Sequence, residues 1–269
     1  MKTACVQLRS SADIDRNIAQ VSEMVREAAS RGAALIITPE MTHILQRSPK
    51  RLFAAITEES NDKGVKAFAA LADELSVDLI IGSLAIKTGD KRAANRCFHF
   101  GPDGQIKARY DKIHLFDVTL SRKESWKESS LYDAGKKAVL TRAGDATVGL
   151  SVCYDLRFPH LYRRYAQSGA DILTVPAAFT VPTGQAHWHA LLQARAIETG
   201  SFVLAPAQGG THEDGRRTYG RSLIIGPWGD IMAELDHDEP GIIAADLDLT
   251  EIGSARAKIP AWNHNPDFD

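Results

Sequence analysis

Cysteine is scarce in this chain of 269 residues: Cys5, Cys97 and Cys153 are the only ones, odd in number and without a CxxC spacing. That pattern argues against a disulfide framework and offers no zinc-site signature, so free thiols in a reducing compartment are expected. An excess of charge of one sign is also missing. The 32 Lys+Arg against 34 Asp+Glu leave a net charge of −2, and no like-charge run resembles a nucleic-acid or membrane tail. No segment approaches the roughly 18 apolar residues of a membrane span. The start, MKTACVQLRSSADIDRN, reaches acidic residues after only a few apolar ones. A cytoplasmic protein without nucleic-acid or membrane partners is expected. Pro and Gly are scattered as turn punctuation and never gathered into a linker, so residues 1–269 read as a single domain. With 44% hydrophobic and 25% charged residues, the chain can bury a large core.

What is present is a repeated alternation of short apolar strands with helical stretches. Residues 3–8 read as a strand, and 13–30 as a helix with Ile14, Ile18, Val21, Met24, Val25 and Ala28 on one face. The buried-strand pattern AALIITPE follows, then a helix over 65–75, the strand VDLIIGSLA, and a hairpin over 95–111 turning at GPDG. Residues 112–136 read as a long irregular segment. Strands at 138–140 and 148–152, a helix over 159–167 and a strand at 171–175 complete a βαβ unit. A helix around 187–198, the strand SFVLAPA, a hairpin through GPWG and a strand at 242–246 close the chain. The segments SRGAALIITPE and QSGADILTVPA share a helix-Gly-strand-Pro plan, which would deliver both strand exits to one rim. Two sheets packed face to face between two helical layers, an α/β fold of αββα type, account for the strand count. A single open α/β sheet is the alternative.

Cys153 sits in SVCYDLRFPHLYRRYA, where an apolar run stops and a helical pattern starts. A thiol on such a turn is pushed out at the sheet edge, and the amides and dipole of the following helix favour thiolate and oxyanion. The competing role is that of a small core hydrophobe. Glu40 directly follows LIITP, at a strand end where ligands collect in α/β sheets, or else is an exposed loop acid. Lys112 lies among Ile113, Leu115 and Phe116, which would desolvate its ammonium unless a carboxylate stood nearby.

Four residues past Cys153, Arg157 could clamp a substrate carboxylate bidentately or pair with a structural acid. Phe179 and Thr180 follow the strand DILTVPAA and should line the same rim, as ordinary loop packing if nothing more. Gln46 and Arg47, after Glu40, could extend a polar pocket. His187 and His189 lie two apart in a helical pattern, where residues do not face each other, so they read as helix-start and packing residues and no metal site is expected. His114 could partner Cys153 in a dyad, but nothing in the sequence marks an Asn or Asp to orient it. GPDGQ and GPWGD are flanked by strand patterns and read as hairpin turns, not phosphate loops.

Taken together, TPE at 38–40, YDKIHLFD at 110–117 and CYDLRFP at 153–159 resemble the nitrilase superfamily of carbon–nitrogen hydrolases. The resemblance covers nearly the whole chain. It implies the αββα sandwich, a homodimer, and a triad of Glu40, Lys112 and Cys153. It also implies an accessory glutamate within KES, which occurs at 123–125 and 127–129; Glu128 is preferred by its distance ahead of LYDAG, and Glu124 stays open. The stretches AHWHALLQARAIETGSFVLAPAQ and YGRSLIIGPWG are similar to the branch holding deaminated-glutathione amidase and omega-amidase. The chemistry would be hydrolysis of a small carboxylated amide, without cofactor, through a Cys153 thioester with ammonia release. Glu40 would act as base, and Lys112 with the Tyr154 N–H would hold the oxyanion. N-carbamoyl amino-acid hydrolysis is a further reading, and a non-catalytic binding module is the reading from a different class.

Overall fold

The computed structural model describes residues 1–121 and 124–264. Alternation along its first strands decides the layering. In Lys2–Gln7, Leu35–Thr38 and Asp78–Gly89, the side chains of Cys5, Leu35, Ile37 and Ile80 enter one apolar layer. Ala4, Val6, Ile36, Leu79 and Ile81 enter another. A sheet apolar on both faces has to be covered on both. Helices Ile14–Ser30 and Lys63–Leu75 cover one side through Val21, Val25, Phe68 and Leu71. A second sheet covers the other, supplying Val148, Leu150 and Ile172 to the shared core. Helices Pro159–Gln167 and Val181–Thr199 then close the far side with Tyr165, Trp188 and Leu192. The order of layers is αββα, as expected, and the single open sheet is ruled out.

The first sheet runs Gly241–Asp246, Lys2–Gln7, Leu35–Thr38, Asp78–Gly89, Arg92–Phe100, Ile106–Asp111, with Tyr132–Asp133 also pairing with Arg92–Phe100. The second runs Ile231–Glu234, Leu223–Ile225, Phe202–Ala205, Ile172–Thr174, Ala146–Leu150, Val139–Ala143. Each sheet holds three parallel strands between antiparallel flanks. The internal echo is structural. Gly32 (φ +89°) and Gly169 (φ +86°) turn the chain out of a helix in the left-handed region before Leu35–Thr38 and Ile172–Thr174, each of which leads to a proline. The two exits meet at Gly82, where a Cβ would lie 2.0 Å from the Thr38 carbonyl and 2.2 Å from the Pro176 side chain. Only glycine lets the sheets approach this closely.

The segment expected to be irregular is partly ordered. It contains the hairpin Asp117–Ser121 with Glu124–Lys127, a 3-10 turn Glu128–Ser130 and the short strand Tyr132–Asp133. These strands are brief and lack an apolar face of their own, so no period-two signal announced them. Three further elements went unread: helix Pro49–Ala55, capped by Ser48, the hairpin Gly209–Thr211 with Arg217–Tyr219, and helix Thr250–Lys258. The helix expected around 187–198 begins at Val181, with proline in its first turn. Among the described residues, no helix is long and apolar enough to cross a membrane.

Candidate active site

Three strand ends converge on a cavity of about 320 Å³. Glu40 comes from the exit of Leu35–Thr38, Lys112 from the exit of Ile106–Asp111, and Cys153 from beyond Ala146–Leu150. All three are almost fully buried and line the cavity floor. The backbone is forced at two of these places: Cys153 (φ +50°) and Met41 (φ +56°), next to Glu40, are non-glycine residues in the left-handed region. The Cys153 N–H donates to the Pro176 carbonyl at 2.8 Å, and the Met41 N–H donates to Ser83 Oγ at 2.8 Å, fixing both bends.

Lys112 Nζ donates to Glu40 Oε1 at 2.9 Å and to Glu128 Oε2 at 2.8 Å. Asn95 Nδ2 donates to Oε1 of the same two carboxylates, at 2.8 and 3.0 Å. Glu40 Oε2 accepts from the Ala178 N–H at 3.0 Å, and Glu128 Oε2 also accepts from the Phe116 N–H at 2.6 Å. One ammonium is thus held between two carboxylates, and the thiol lies against Glu40. Glu128 is the accessory acid brought to Lys112; the Glu124 side chain lies outside the described residues.

These contacts set the protons. Burial pulls the Lys112 ammonium down, but Glu128 and Glu40 overcome this and hold it charged well above the usual lysine range. Burial also works against the Glu40 carboxylate, yet Lys112 and the bonds from Cys153 and Asn95 keep it below the usual range. For Cys153, burial and then the Glu40 charge push the thiol well up, and Lys112 offsets this only in part. Burial and Glu40 therefore oppose the thiolate that the amides of the turn would favour. Cys153 opens a single 3-10 turn, Cys153–Arg157, whose dipole is outweighed by an adjacent buried carboxylate.

Asp155, fully buried, ties the nucleophile turn to the lysine segment. It accepts from the Val152 N–H (2.9 Å), Tyr110 OH (2.7 Å), and the His114 N–H and Nδ1 (3.0 and 2.7 Å). This corrects the reading that no acid orients His114. The same bond turns that histidine away from catalysis: its ring stacks on Phe158 at 3.5 Å between centroids and does not line the cavity.

The rim is aromatic and cationic. Tyr154, Arg157, Phe179 and Thr180 line it, as do Gln46 and Arg47. The Arg157 guanidinium lies over Tyr154 and Phe179, at 5.9 and 5.4 Å from their centroids, and donates to His187 Nδ1 at 3.2 Å. Among the described residues no carboxylate is within ion-pairing reach of it, so the structural-acid alternative is removed. Thr180 precedes helix Val181–Thr199, and Phe179 packs on Trp188. His187 and His189 diverge, to Arg157 and to Glu234 at 2.8 Å. No group of three or more His, Cys, Asp or Glu among the described residues is placed to hold a metal ion.

Sequence reasoning missed Asn95, Asp155, Trp126 and Arg216. Asn95 left a signal, since asparagine is depleted in strands yet stands in RAANRCF within Arg92–Phe100. Trp126 and Arg216 left none, because they reach the rim from the two hairpins that were not foreseen.

The family model described as carbon–nitrogen hydrolase matches residues 2–257. The chain is 36% identical over 265 residues to a deaminated glutathione amidase of Synechocystis sp., covering 97% of this chain and 96% of that protein. It is 32% identical to a chloroplastic omega-amidase of Arabidopsis thaliana, covering 94% of this chain and 69% of the relative. Among solved structures, the C. elegans NitFhit protein superposes with a TM-score of 0.89 at 29% identity; the match covers 98% of this chain but only 64% of that longer protein. An amidase from Nesterenkonia sp. AN1, with acrylamide added to its active-site cysteine, superposes with a TM-score of 0.81 at 25% identity, over 97% of this chain and 98% of the other.

Proposed function

Because the chain belongs to the carbon–nitrogen hydrolase family and is an amide-hydrolysing enzyme, we propose that it cleaves a small carboxylated amide through a thioester on Cys153. The observation that carries this reading is the buried cluster that gathers Cys153, Glu40 and Lys112 on one cavity floor, with Lys112 held between Glu40 and Glu128. Glu40 takes the thiol proton as Sγ attacks the amide carbon. An ammonium has three N–H donors, and two of those on Lys112 are spent on carboxylates, which leaves the third for the developing oxyanion. The Tyr154 N–H lies in the first turn of the 3-10 segment Cys153–Arg157, where the first amides lack an intrahelical acceptor, and supplies a second donor. Protonated Glu40 then gives its proton to the departing nitrogen as the C–N bond breaks. Water, deprotonated by Glu40, attacks the thioester carbonyl; the C–S bond breaks and the thiol is restored. Glu128 keeps Lys112 charged and aimed.

For the substrate we favour deaminated glutathione, in which an amide joins a 2-oxoglutaryl group to cysteinylglycine, over 2-oxoglutaramate and N-carbamoyl amino acids. The Arg157 guanidinium, without a carboxylate partner among the described residues, supports recognition of the acyl carboxylate. The relative named deaminated glutathione amidase supports the choice. From this substrate the leaving group is the dipeptide amine; ammonia leaves only from a primary amide or a carbamoyl group. Wild-type and Cys153→Ala proteins should therefore be assayed for 2-oxoglutarate from the first two substrates and for ammonia from the last two. Turnover abolished by the substitution, together with an acyl adduct in the intact mass of rapidly quenched wild-type protein, is expected. A folded wild-type protein inactive on the whole panel would overturn the reading.

We assign residues 1–269 to one catalytic domain in a cytoplasmic enzyme, supported by the free thiols of Cys5, Cys97 and Cys153. We also infer a homodimer. The exposed Ile197, Trp228 and Ile259 support an apolar contact face. Sedimentation of wild type and Trp228→Glu tests this, with a shift to monomer expected in the variant.

A further inference from the structure

Arg47 and Arg216 line the same cavity as Arg157, and among the described residues neither guanidinium has a carboxylate in ion-pairing reach. Elsewhere Arg26, Arg92, Arg96, Arg109 and Arg195 each hold an acidic partner, while Arg142 and Arg256 bond backbone carbonyls; what sets Arg47 and Arg216 apart is that both line the cavity. The guanidinium carbons of Arg47 and Arg216 lie over the Trp126 ring, 4.9 and 4.6 Å from its centroid. Two cations gathered on one ring repel each other unless an anion joins them. The Arg216 Nε is moreover buried without a hydrogen-bond partner. Among the described residues, Asp214 accepts only the backbone N–H of Arg216, at 2.9 Å, and makes no ion pair with its guanidinium. A cavity-lining guanidinium whose buried Nε still lacks an acceptor among the described residues is suited to bind an anion.

The arm that carries Arg216 is fixed. His212 Nδ1 bonds the Ser10 carbonyl at 2.9 Å and its Nε2 bonds Thr218 Oγ1 at 2.7 Å, while the His212 N–H donates to the Arg216 carbonyl at 2.8 Å. The Tyr219 N–H donates to the Phe179 carbonyl at 3.0 Å, lacing the hairpin to the rim. From Trp126, ring contacts run to Phe116 and on to Tyr154, over which Arg157 lies. Cationic groups therefore stand at both ends of an aromatic wall, with the thiol on the floor of the same cavity.

We propose that Arg216, with Arg47 and the Trp126 ring, forms a second anion subsite that takes the carboxylate of the leaving amine, which makes the preferred substrate an elongated, dianionic N-substituted amide. This rests on the acyl–thioester reading above, with Arg157 on the acyl carboxylate. The reaction is unchanged: the C–N bond breaks, Glu40 protonates the amine, and the amine departs with its carboxylate on Arg216.

The test compares deaminated glutathione, its C-terminal carboxamide and 2-oxoglutaramate on wild type, Arg216→Gln and Arg216→Lys. Wild type should prefer the free acid to the carboxamide by roughly ten- to a hundredfold in kcat/KM, expressed in KM, the range for one charge-assisted pair. Arg216→Gln should erase that preference, Arg216→Lys should keep part of it, and 2-oxoglutaramate should be affected far less. No preference in wild type, or an equal loss on all three substrates in Arg216→Gln, overturns the subsite. If wild type fails to turn over these amides, the acyl–thioester reading falls. The subsite is then decided by calorimetry on Cys153→Ala with glutaryl-cysteinylglycine and its carboxamide. A preference for the acid that Arg216→Gln abolishes upholds it, and equal binding overturns it.

Discussion

On the cavity floor, Lys112 lies 2.9 Å from Glu40 and 2.8 Å from Glu128, in a setting closed to solvent. On the rim, Arg47, Arg157 and Arg216 lie against Trp126, Tyr154 and Phe179 with no carboxylate in reach among the described residues. The floor charges are held by one another, so each sets its neighbour's protonation state, and removing the Lys112 ammonium strands two carboxylates in a buried place. The rim charges are balanced by water or by a ligand, so removing one should change binding and little else. Position along the same cavity thus separates groups that couple folding to chemistry from groups that only select.

The largest effect should come from Lys112→Met. It strips the cation from between two buried carboxylates and removes the oxyanion donor. A loss of about 3–5 kcal/mol in stability is expected for a broken buried pair, together with at least a hundred- to a thousandfold loss in kcat from the missing donor. Urea unfolding and turnover are the measurements. Adding Glu128→Gln should recover part of the stability by removing one stranded charge, while activity stays lost. If Lys112→Met unfolds like wild type, the ammonium does not hold the floor carboxylates together.

Glu40→Gln comes next, with a roughly 10²–10⁴-fold drop in kcat expected for a lost general base and a smaller effect on folding. Its charge also sets a pH dependence. Lys112 and the bonded donors hold Glu40 below the usual carboxylate range against the opposing effect of burial. Its folded value is thus below the unfolded one of about 4.3. The stabilising contribution is present above about pH 4.3 and is lost as pH falls through the lower folded value. The acid limb of kcat/KM should lie below about pH 4.3. A limb between about 6 and 7 would implicate a histidine and revive the His114–Cys153 dyad.

The same contrast explains what could be read from the sequence. Glu40, Lys112 and Cys153 were visible because each is a polar residue placed against a strong apolar pattern at a strand exit, and strand exits are where a sheet presents side chains. The αββα layers were visible because Val21, Val25, Ile36 and Ile80 recur with clean periods. Arg216 and Trp126 were not visible. They ride on short hairpins whose strands, Arg217–Tyr219 and Glu124–Lys127, have no apolar face of their own and are positioned by tertiary bonds such as Tyr219 N–H to Phe179 O. The opposition to the Cys153 thiolate is hidden from the sequence for a related reason. A local helix dipole can be inferred from sequence, whereas the opposing Glu40 charge arrives from residues far away in the chain.

Arg157→Gln should leave unfolding within about 0.5 kcal/mol of wild type, as for substitutions away from a core or buried network. It should still raise KM roughly ten- to a hundredfold for any substrate with an acyl carboxylate. If kcat falls and KM holds, Arg157 acts on the reacting atoms and the division between floor and rim fails.

Ionic strength gives the smallest and most diagnostic effect. Raising salt from about 0.1 M to about 1 M shortens the screening length from roughly 10 Å to roughly 3 Å. Half-exposed guanidiniums lose attraction for a carboxylate across water, so KM for a dianionic substrate should rise about two- to fivefold, a modest change for screened surface charge. Lys112, Glu40 and Glu128 are in direct contact out of solvent, where mobile ions do not enter, so kcat and the unfolding midpoint should hold. Because salt reaches every charge at once without altering a side chain, a fall in kcat at constant KM would mean that solvent ions reach the floor and that the two ends of the cavity are not electrostatically separate.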